Sequence, residues 1–244
     1  MKYDTPQKTQ FFFTTAPMPC PYLKDRLEQR MVTELMGPNA TDLGNRLSLA
    51  GFRRSHTISY TPVCDGCSAC VSVRIPVREF KPNKTQRKIF KRNADLTAQE
   101  CPPEASTEQY ALFKTYISAR HLDGDMALME ESDYTAMVEE TPVQTAMVEF
   151  RDQDQHLVCA VLIDRFDDGY SAIYSFFDTD LNARSLGTYM VLWLIEHTQM
   201  QGLDYLYLGY WVQGSRKMEY KRNFTPLEGF TSKGWKRLPH KSYT

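Results

Sequence analysis

SAIYSFFDTDLNARSLGTYMVLWLIEHTQMQGLDYLYLGYWVQGSRKMEYKRNF, residues 171–224, decides the fold of this chain. Its opening SAIYSFFD is β-rich, with Ile173, Tyr174, Phe176 and Phe177 leading to Asp178 and Asp180. The loop that follows carries Arg184 and Gly187, and suits close approach of a backbone. Leu186, Met190, Trp193, Leu194 and His197 then recur at helical spacing over Ser185–Met200, and Gly202 stands where a helix should stop. A second strand, YLYLGYW, begins at Tyr205. Strand, loop, helix and strand together predict a β-α-β unit with a ligand-sized opening at its strand ends.

Working upstream, three strand signals precede the helix: QTAMVEFRD, HLVCAVLIDRF and SAIYSFFD with its preceding Tyr170, the last two joined by Asp167-Asp168-Gly169. Ser106-x-x-Gln109 is a capping-box signature opening a helix with Tyr110, Phe113 and Ile117 on its buried face and His121-Leu122-Asp123-Gly124 at its end. EESDYTAMVEE reads as a further short helix or a connection. Cys101-Pro102-Pro103 breaks the chain, and we place a domain junction just before it, giving residues 1–100 and 101–244. In the first half a short helix is expected between Asn39 and Phe52. VSVRIPV reads as a half-buried strand with Ser72 and Arg74 on its polar face.

A chain of 244 residues with 42% hydrophobic content supports one large or two small domains. A formal charge of −1 gives no general case for nucleic-acid binding, so any such role rests on local basic patches. No apolar run reaches the roughly 18 residues of a membrane span, and the first residues lack the pattern of a secretory signal. A cytoplasmic protein is expected. One basic patch is clear: Lys84, Lys88 and Lys91 fall at i, i+4 and i+7 of an expected helix.

Cys20 and the run Cys64-x-x-Cys67-x-x-Cys70 are candidate metal ligands, since Asp65-Gly66 supplies a turn that lets thiolates converge. Four such ligands would suit zinc or an iron–sulfur cluster. The alternative is reduced thiols packed under a loop. Cys101 and Cys159 carry no such pattern.

Arg184-Ser185-Leu186-Gly187-Thr188-Tyr189 resembles the R/Q-x-x-G-x-G/A loop of GNAT-type acyltransferases, with bulky Tyr189 at the small last position. YSFFDTD, RSLGTYMVLWLIE and YLYLGYWVQGSRKMEYKRNFTPLE, in that order, resemble the aminoacyl-tRNA–protein transferases, as does the upstream GFRRSHTISYTPVCDGCSACVSVRIPV. The resemblance spans about Cys20 to about Phe230. It implies an α+β fold, a GNAT-like domain behind a smaller cysteine-containing domain. It also implies transfer of an aminoacyl group from tRNA to a protein's α-amine, with amino-terminal Asp or Glu as acceptors. Short bacterial members look like leucyltransferases and eukaryotic relatives are arginyltransferases, so leucyl-tRNA is the expected donor and arginyl-tRNA the alternative.

The ester is already activated, so the chemistry requires no cofactor; orientation, one proton acceptor and donors for an oxyanion suffice. Asp178 and Tyr220 are the candidate catalytic residues. Arg53, Arg54 and Arg74 are candidates for the acceptor carboxylate, because a guanidinium holds one bidentately. Tyr174, Phe176 and Trp211 are candidate pocket walls, with Arg184 and Gly187 in the loop. Lys84, Lys88, Lys91, Lys217, Lys221 and Arg222 are assigned to tRNA phosphates, the last three from the recognisable Lys-Met-x-Tyr-Lys run and its neighbour. Two other classes remain open: a coenzyme A acyltransferase, opposed by Tyr189, and a zinc-dependent RNA-binding module.

Overall fold

The computed structural model describes residues 9–120 and 125–239. The helix stop expected at His121–Gly124 lies outside the described residues, as do the first eight residues of the amino-terminal segment. In chain order the strands and helices are β1 (Phe13–Thr14), β2 (Met18–Pro19), β3 (Leu27–Glu28), β4 (Arg30–Glu34), α1 (Ala40–Leu49), β5 (Arg53–Ser55), β6 (Ile58–Pro62), β7 (Cys70–Pro76), α2 (Lys84–Arg92) and β8 (Thr97–Cys101). The chain continues through α3 (Thr107–Arg120), α4 (Glu131–Glu139), β9 (Thr145–Arg151), β10 (Leu157–Arg165), β11 (Gly169–Phe177), α5 (Leu186–Met200), β12 (Tyr205–Val212), β13 (Glu228–Thr231) and β14 (Gly234–Arg237).

The expected β-α-β unit is present as β11, α5 and β12. It lies within an eight-stranded sheet ordered β14-β13-β7-β12-β11-β10-β9-β8. Only β11 and β12 run parallel; the other pairs are antiparallel. Helices cover both faces. Cys159, Val161 and Ile163 of β10 pack with Leu186, Tyr189 and Met190 of α5, while Ala160 and Leu162 pack with Phe113 and Ile117 of α3. Burial on both sides explains why β10 is apolar almost throughout rather than alternating.

The capping box forms as expected. The Ser106 N–H donates to Gln109 Oε1 and the Gln109 N–H to Ser106 Oγ, both at 3.2 Å. The strand with Ser72 and Arg74 differs from expectation. It is not half-exposed: both side chains are buried, Arg74 beneath Tyr205 and Trp235 and paired with Glu228. The expected junction before Cys101 falls inside β8, and β7 brings the first hundred residues into the same sheet as the rest. Among the described residues no helix is long and apolar enough to cross a membrane.

A second sheet, β1-β4-β6-β5, is joined to the first by one buried ion pair. Arg54 on β5 donates from Nε and Nη2 to the two oxygens of Asp164 on β10, at 2.6 and 2.7 Å, with the side chains 4% and 0% exposed. Thr145 Oγ1 adds a third bond to Asp164 at 2.7 Å. Arg54 is thus consumed by the fold, and its expected role in reading an acceptor is corrected. An Asp164→Leu variant should lose about 3–5 kcal/mol of unfolding free energy, because it leaves the guanidinium buried without its partner. Urea unfolding should show the double variant Arg54→Met, Asp164→Leu recovering most of that loss.

Candidate active site

Parallel pairing of β11 with β12 covers only Gly169, Tyr170 and Ser171 against Tyr205, Leu206 and Tyr207. Beyond Ser171 the strands diverge, each still held on its outer side: β11 by β10 as far as Phe177 and β12 by β7 as far as Val212. The inner edges of the opening therefore carry backbone groups without a sheet partner.

Arg53 enters this opening from β5. Its guanidinium donates to the Ile173 carbonyl of β11 and lies against Gly209 of β12, where a Cβ would stand 1.9 Å from Nη1. Gly209 has φ +68° and sits at a register shift in the β12–β7 ladder, so any other residue there would be strained as well as obstructed. Around the arginine stand Tyr22, Tyr60 and Tyr210. The Tyr210 hydroxyl donates to the Tyr60 carbonyl at 2.9 Å. Burial raises the pKa of Tyr22 and Tyr210, and Arg53 pulls both back in part.

The turn at Glu219–Asn223 closes the same end of β12. Lys221 points inward, only 3% exposed, and its Nζ donates to the Tyr210 carbonyl at 2.6 Å. Desolvation lowers its pKa well below the ordinary lysine value, and the charge of Arg53 lowers it further. A buried lysine is not one of a set of spread surface charges, so the assignment of Lys221 to tRNA phosphates is corrected. Its neighbour Tyr220 keeps 45% of its surface exposed, while desolvation raises its hydroxyl and Arg53 lowers it. Tyr116 of α3 bears on Tyr220 from the opposite side and packs its ring on Phe177 at 4.8 Å.

Asp178 does not project freely into the opening. Its Oδ1 accepts the Asp180 N–H at 2.8 Å, a turn-forming bond that makes Asp178 a cap. Phe176 is core, packed edge-on to Phe113 at 5.7 Å, and Tyr174 is half-buried against the same ring. Arg74 is spent on Glu228 at 2.9 Å, with Tyr205 and Trp235 against its guanidinium at 3.5 and 4.4 Å. Trp211 carries a buried indole N–H with no partner among the described residues, and Arg222 lies over its ring at 5.0 Å.

The loop at the start of α5 is already occupied. Arg184 makes a two-pronged pair with Asp95, at 2.7 and 2.9 Å, and Asn93 donates to the Arg184 carbonyl. Gly187 backs onto Phe177, and Tyr189 is buried between Phe90 and Phe150. These contacts turn the loop's groups toward the protein and disfavour a coenzyme A pyrophosphate there.

Lys84, Lys88 and Lys91 are exposed on α2, whose buried side presents Gln86 and Ile89. Gln86 Nε2 donates to the Asn223 carbonyl at 3.0 Å, so the cationic helix is fastened to the turn that closes the opening. Lys217, also exposed, precedes that turn.

The four cysteines gather beside Tyr22 and Arg30. Burial pushes the Cys70 thiol up to about 12, and Cys20, Cys64 and Cys67 add to the rise. No three of their sulfurs lie within 4.8 Å of one another; among the described residues only Asp152, Asp154 and His156 meet that measure. Cys64 is further held by the Gln29 N–H, which donates to its sulfur at 3.4 Å.

Tyr22, Tyr60, Tyr116, Gly209 and Tyr210 escaped the sequence reading. One signal was available: a lone glycine inside the strand run YLYLGYW marks a bulge or a close backbone approach.

Residues 18–88 match the family described as arginine-tRNA-protein transferase, N terminus, and residues 108–231 match its C terminus. A protein of Gluconacetobacter diazotrophicus called aspartate/glutamate leucyltransferase is 55% identical over 98% of this chain and 92% of its own. One of the same name from Paramagnetospirillum magneticum is 55% identical over 95% of each chain. Among solved structures, L-PGS from Bacillus licheniformis is 12% identical, with a TM-score of 0.47 over 58% of this chain and 45% of that one. The two matched segments and the near-full-length relatives place this chain in the arginine-tRNA-protein transferase family, to which it belongs.

Proposed function

We propose that this protein transfers leucine from leucyl-tRNA to the α-amine of polypeptides beginning with Asp or Glu, and so marks them for N-degron turnover in the cytoplasm. The carrying observation is 55% identity to an aspartate/glutamate leucyltransferase along 98% of the chain. The fold is read as GNAT-like on the divergence of β11 from β12 around a single parallel contact.

The transfer needs little from the protein in covalent terms. An α-amine with a pKa near 7.7–8.0 is partly neutral at cellular pH. Its nitrogen attacks the ester carbonyl carbon, the C–N bond forms, the bond to the ribose 3′ oxygen breaks, and that oxygen leaves with a proton. The opening supplies unpaired backbone groups and the hydroxyl of Tyr220, which is protonated at neutral pH and therefore a donor. The exposed lysines of α2 and Lys217 form one cationic approach for the tRNA, because Gln86 ties helix and turn together.

The cysteines suit a thiophilic cation. Zn²⁺ or an iron–sulfur cluster would have to draw together the sulfurs of Cys20, Cys64, Cys67 and Cys70, no three of which lie within 4.8 Å of one another, and deprotonate the buried Cys70 thiol.

Three measurements check this reading. Purified protein given leucyl- or arginyl-tRNA should label Asp- and Glu-starting peptides from leucyl-tRNA and leave an Ala-starting peptide unlabelled; transfer from arginyl-tRNA alone would overturn the donor. Replacing Lys84, Lys88 and Lys91 with Ala should weaken tRNA binding and make its log–log salt slope shallower by about 0.7–0.9 for each phosphate no longer neutralised. Elemental analysis of anaerobically purified protein should return near-stoichiometric zinc or iron, and combined Cys→Ser replacement at positions 20, 64, 67 and 70 should remove it.

A further inference from the structure

Among the described residues, most of the buried and half-buried arginines are neutralised by a carboxylate. Arg30 pairs with Glu28, Arg54 with Asp164, Arg74 with Glu228, Arg151 with Glu149 and Arg184 with Asp95. Arg53 has no carboxylate partner among the described residues, and neither does Lys221. Their hydrogen bonds go to carbonyls instead, Ile173 for the arginine and Tyr210 for the lysine. The two side chains stand within each other's electrostatic reach, one half-buried and the other almost wholly so, and burial with the charge of Arg53 favours the neutral amine of Lys221 until an anion compensates it.

Two like charges brought together in a desolvated place oppose one another and lose hydration, a cost that an anion between them would remove. The placement is nonetheless built in. Gly209 leaves no atom where Arg53 lies, and the Glu219–Asn223 turn sends Lys221 inward while Tyr220 beside it stays open to solvent. A guanidinium with one of its donors on Ile173 keeps others for a ligand, and an ammonium with one donor on Tyr210 keeps two. Arg53 reaches Ile173 of β11 and Gly209 of β12, the strands that bound the splay, and Lys221 reaches the next residue of β12, Tyr210.

We infer that Arg53 and Lys221 together form the pocket for the side-chain carboxylate of the acceptor's amino-terminal residue, Arg53 as the directed clamp and Lys221 as the charge behind it. This rests on the acceptor specificity proposed above, and it moves Lys221 from the tRNA to the peptide. Discrimination between Asp and Asn, identical in shape, then comes from the charge of the site rather than its size. An Asn side chain would leave both cations uncompensated.

The test is kcat/KM for peptides differing only as Asp or Asn at the first position, with leucyl-tRNA as donor. Wild-type protein should favour Asp by about 30-fold or more. Lys221→Met, which conserves volume without the charge, should reduce use of the Asp peptide by at least about tenfold. The Asn peptide should change by less than about threefold, so the ratio collapses. Arg53→Gln, whose amide can still donate to the Ile173 carbonyl, should lower the Asp/Asn ratio likewise whatever its effect on the overall rate, and carries the test if the buried lysine variant does not fold. Equal losses for the two peptides, or an Asp/Asn ratio preserved in a folded variant, would overturn the pocket. Wild-type protein that uses Asp and Asn peptides equally would instead overturn the acceptor specificity itself, a separate outcome read in the same assay.

Discussion

The opening between β11 and β12 exists because their parallel contact ends after three residue pairs and an arginine from another sheet takes the space. Antiparallel neighbours hold the outer edges, so the divergence does not unravel the sheet. An empty splay would leave the Ile173 carbonyl facing nothing, and Arg53 satisfies it. The same guanidinium requires that position 209 be glycine. One side chain thus joins β5, β11 and β12, and everything else at the site is arranged around it.

Neighbouring residues on β5 illustrate how a strand divides structure from function. Successive side chains leave a strand on opposite sides. Arg53 and Arg54 pair across to Tyr60 and Ser59, and so face opposite ways. Arg54 goes to Asp164, meets it with two hydrogen bonds and is sealed from water. Arg53 goes to the splay and meets no carboxylate among the described residues. Sequence alone gives both the same chemistry; the period of the strand assigns them different work.

Much of the architecture was legible because it is local. The helix of α5, its stop near Gly202, the capping box at Ser106 and the meander β9–β10–β11 all follow from patterns a few residues long. What was not legible is which element lies beside which. VSVRIPV alternates like a half-exposed strand, yet β13 covers its outer edge and makes Arg74 an internal cation held by Glu228. In the run KMEYKRN, nothing in the composition distinguishes Lys217 at the surface from Lys221 beneath it. The tight turn between them decides that, and it is fixed by a lysine reaching the Tyr210 carbonyl eleven residues back. Asp178 stood at a strand end as a catalytic base might, but the neighbouring amide of Asp180 claims it as a cap.

The ionisation states at the site also constrain the chemistry available there. Cys70 and Cys159 are pushed upward by burial, so neither offers a ready thiolate nucleophile at neutral pH. Tyr22, Tyr210 and Tyr220 are raised as well, and remain hydroxyls that donate rather than phenolates that accept. A site furnished with protonated hydroxyls, unpaired strand amides and a desolvated lysine is suited to binding a carbonyl oxygen and a carboxylate, not to forming an enzyme-bound acyl intermediate. For an activated ester and a partly neutral amine that is enough. Holding the two in a near-attack arrangement removes the entropy of meeting, which in well-oriented systems accounts for about 7–11 kcal/mol of a barrier. On the proposed reading, selection of acidic acceptors and acceleration of transfer share one cause: a first residue whose carboxylate neutralises Arg53 and Lys221 places its amine where the ester can be reached.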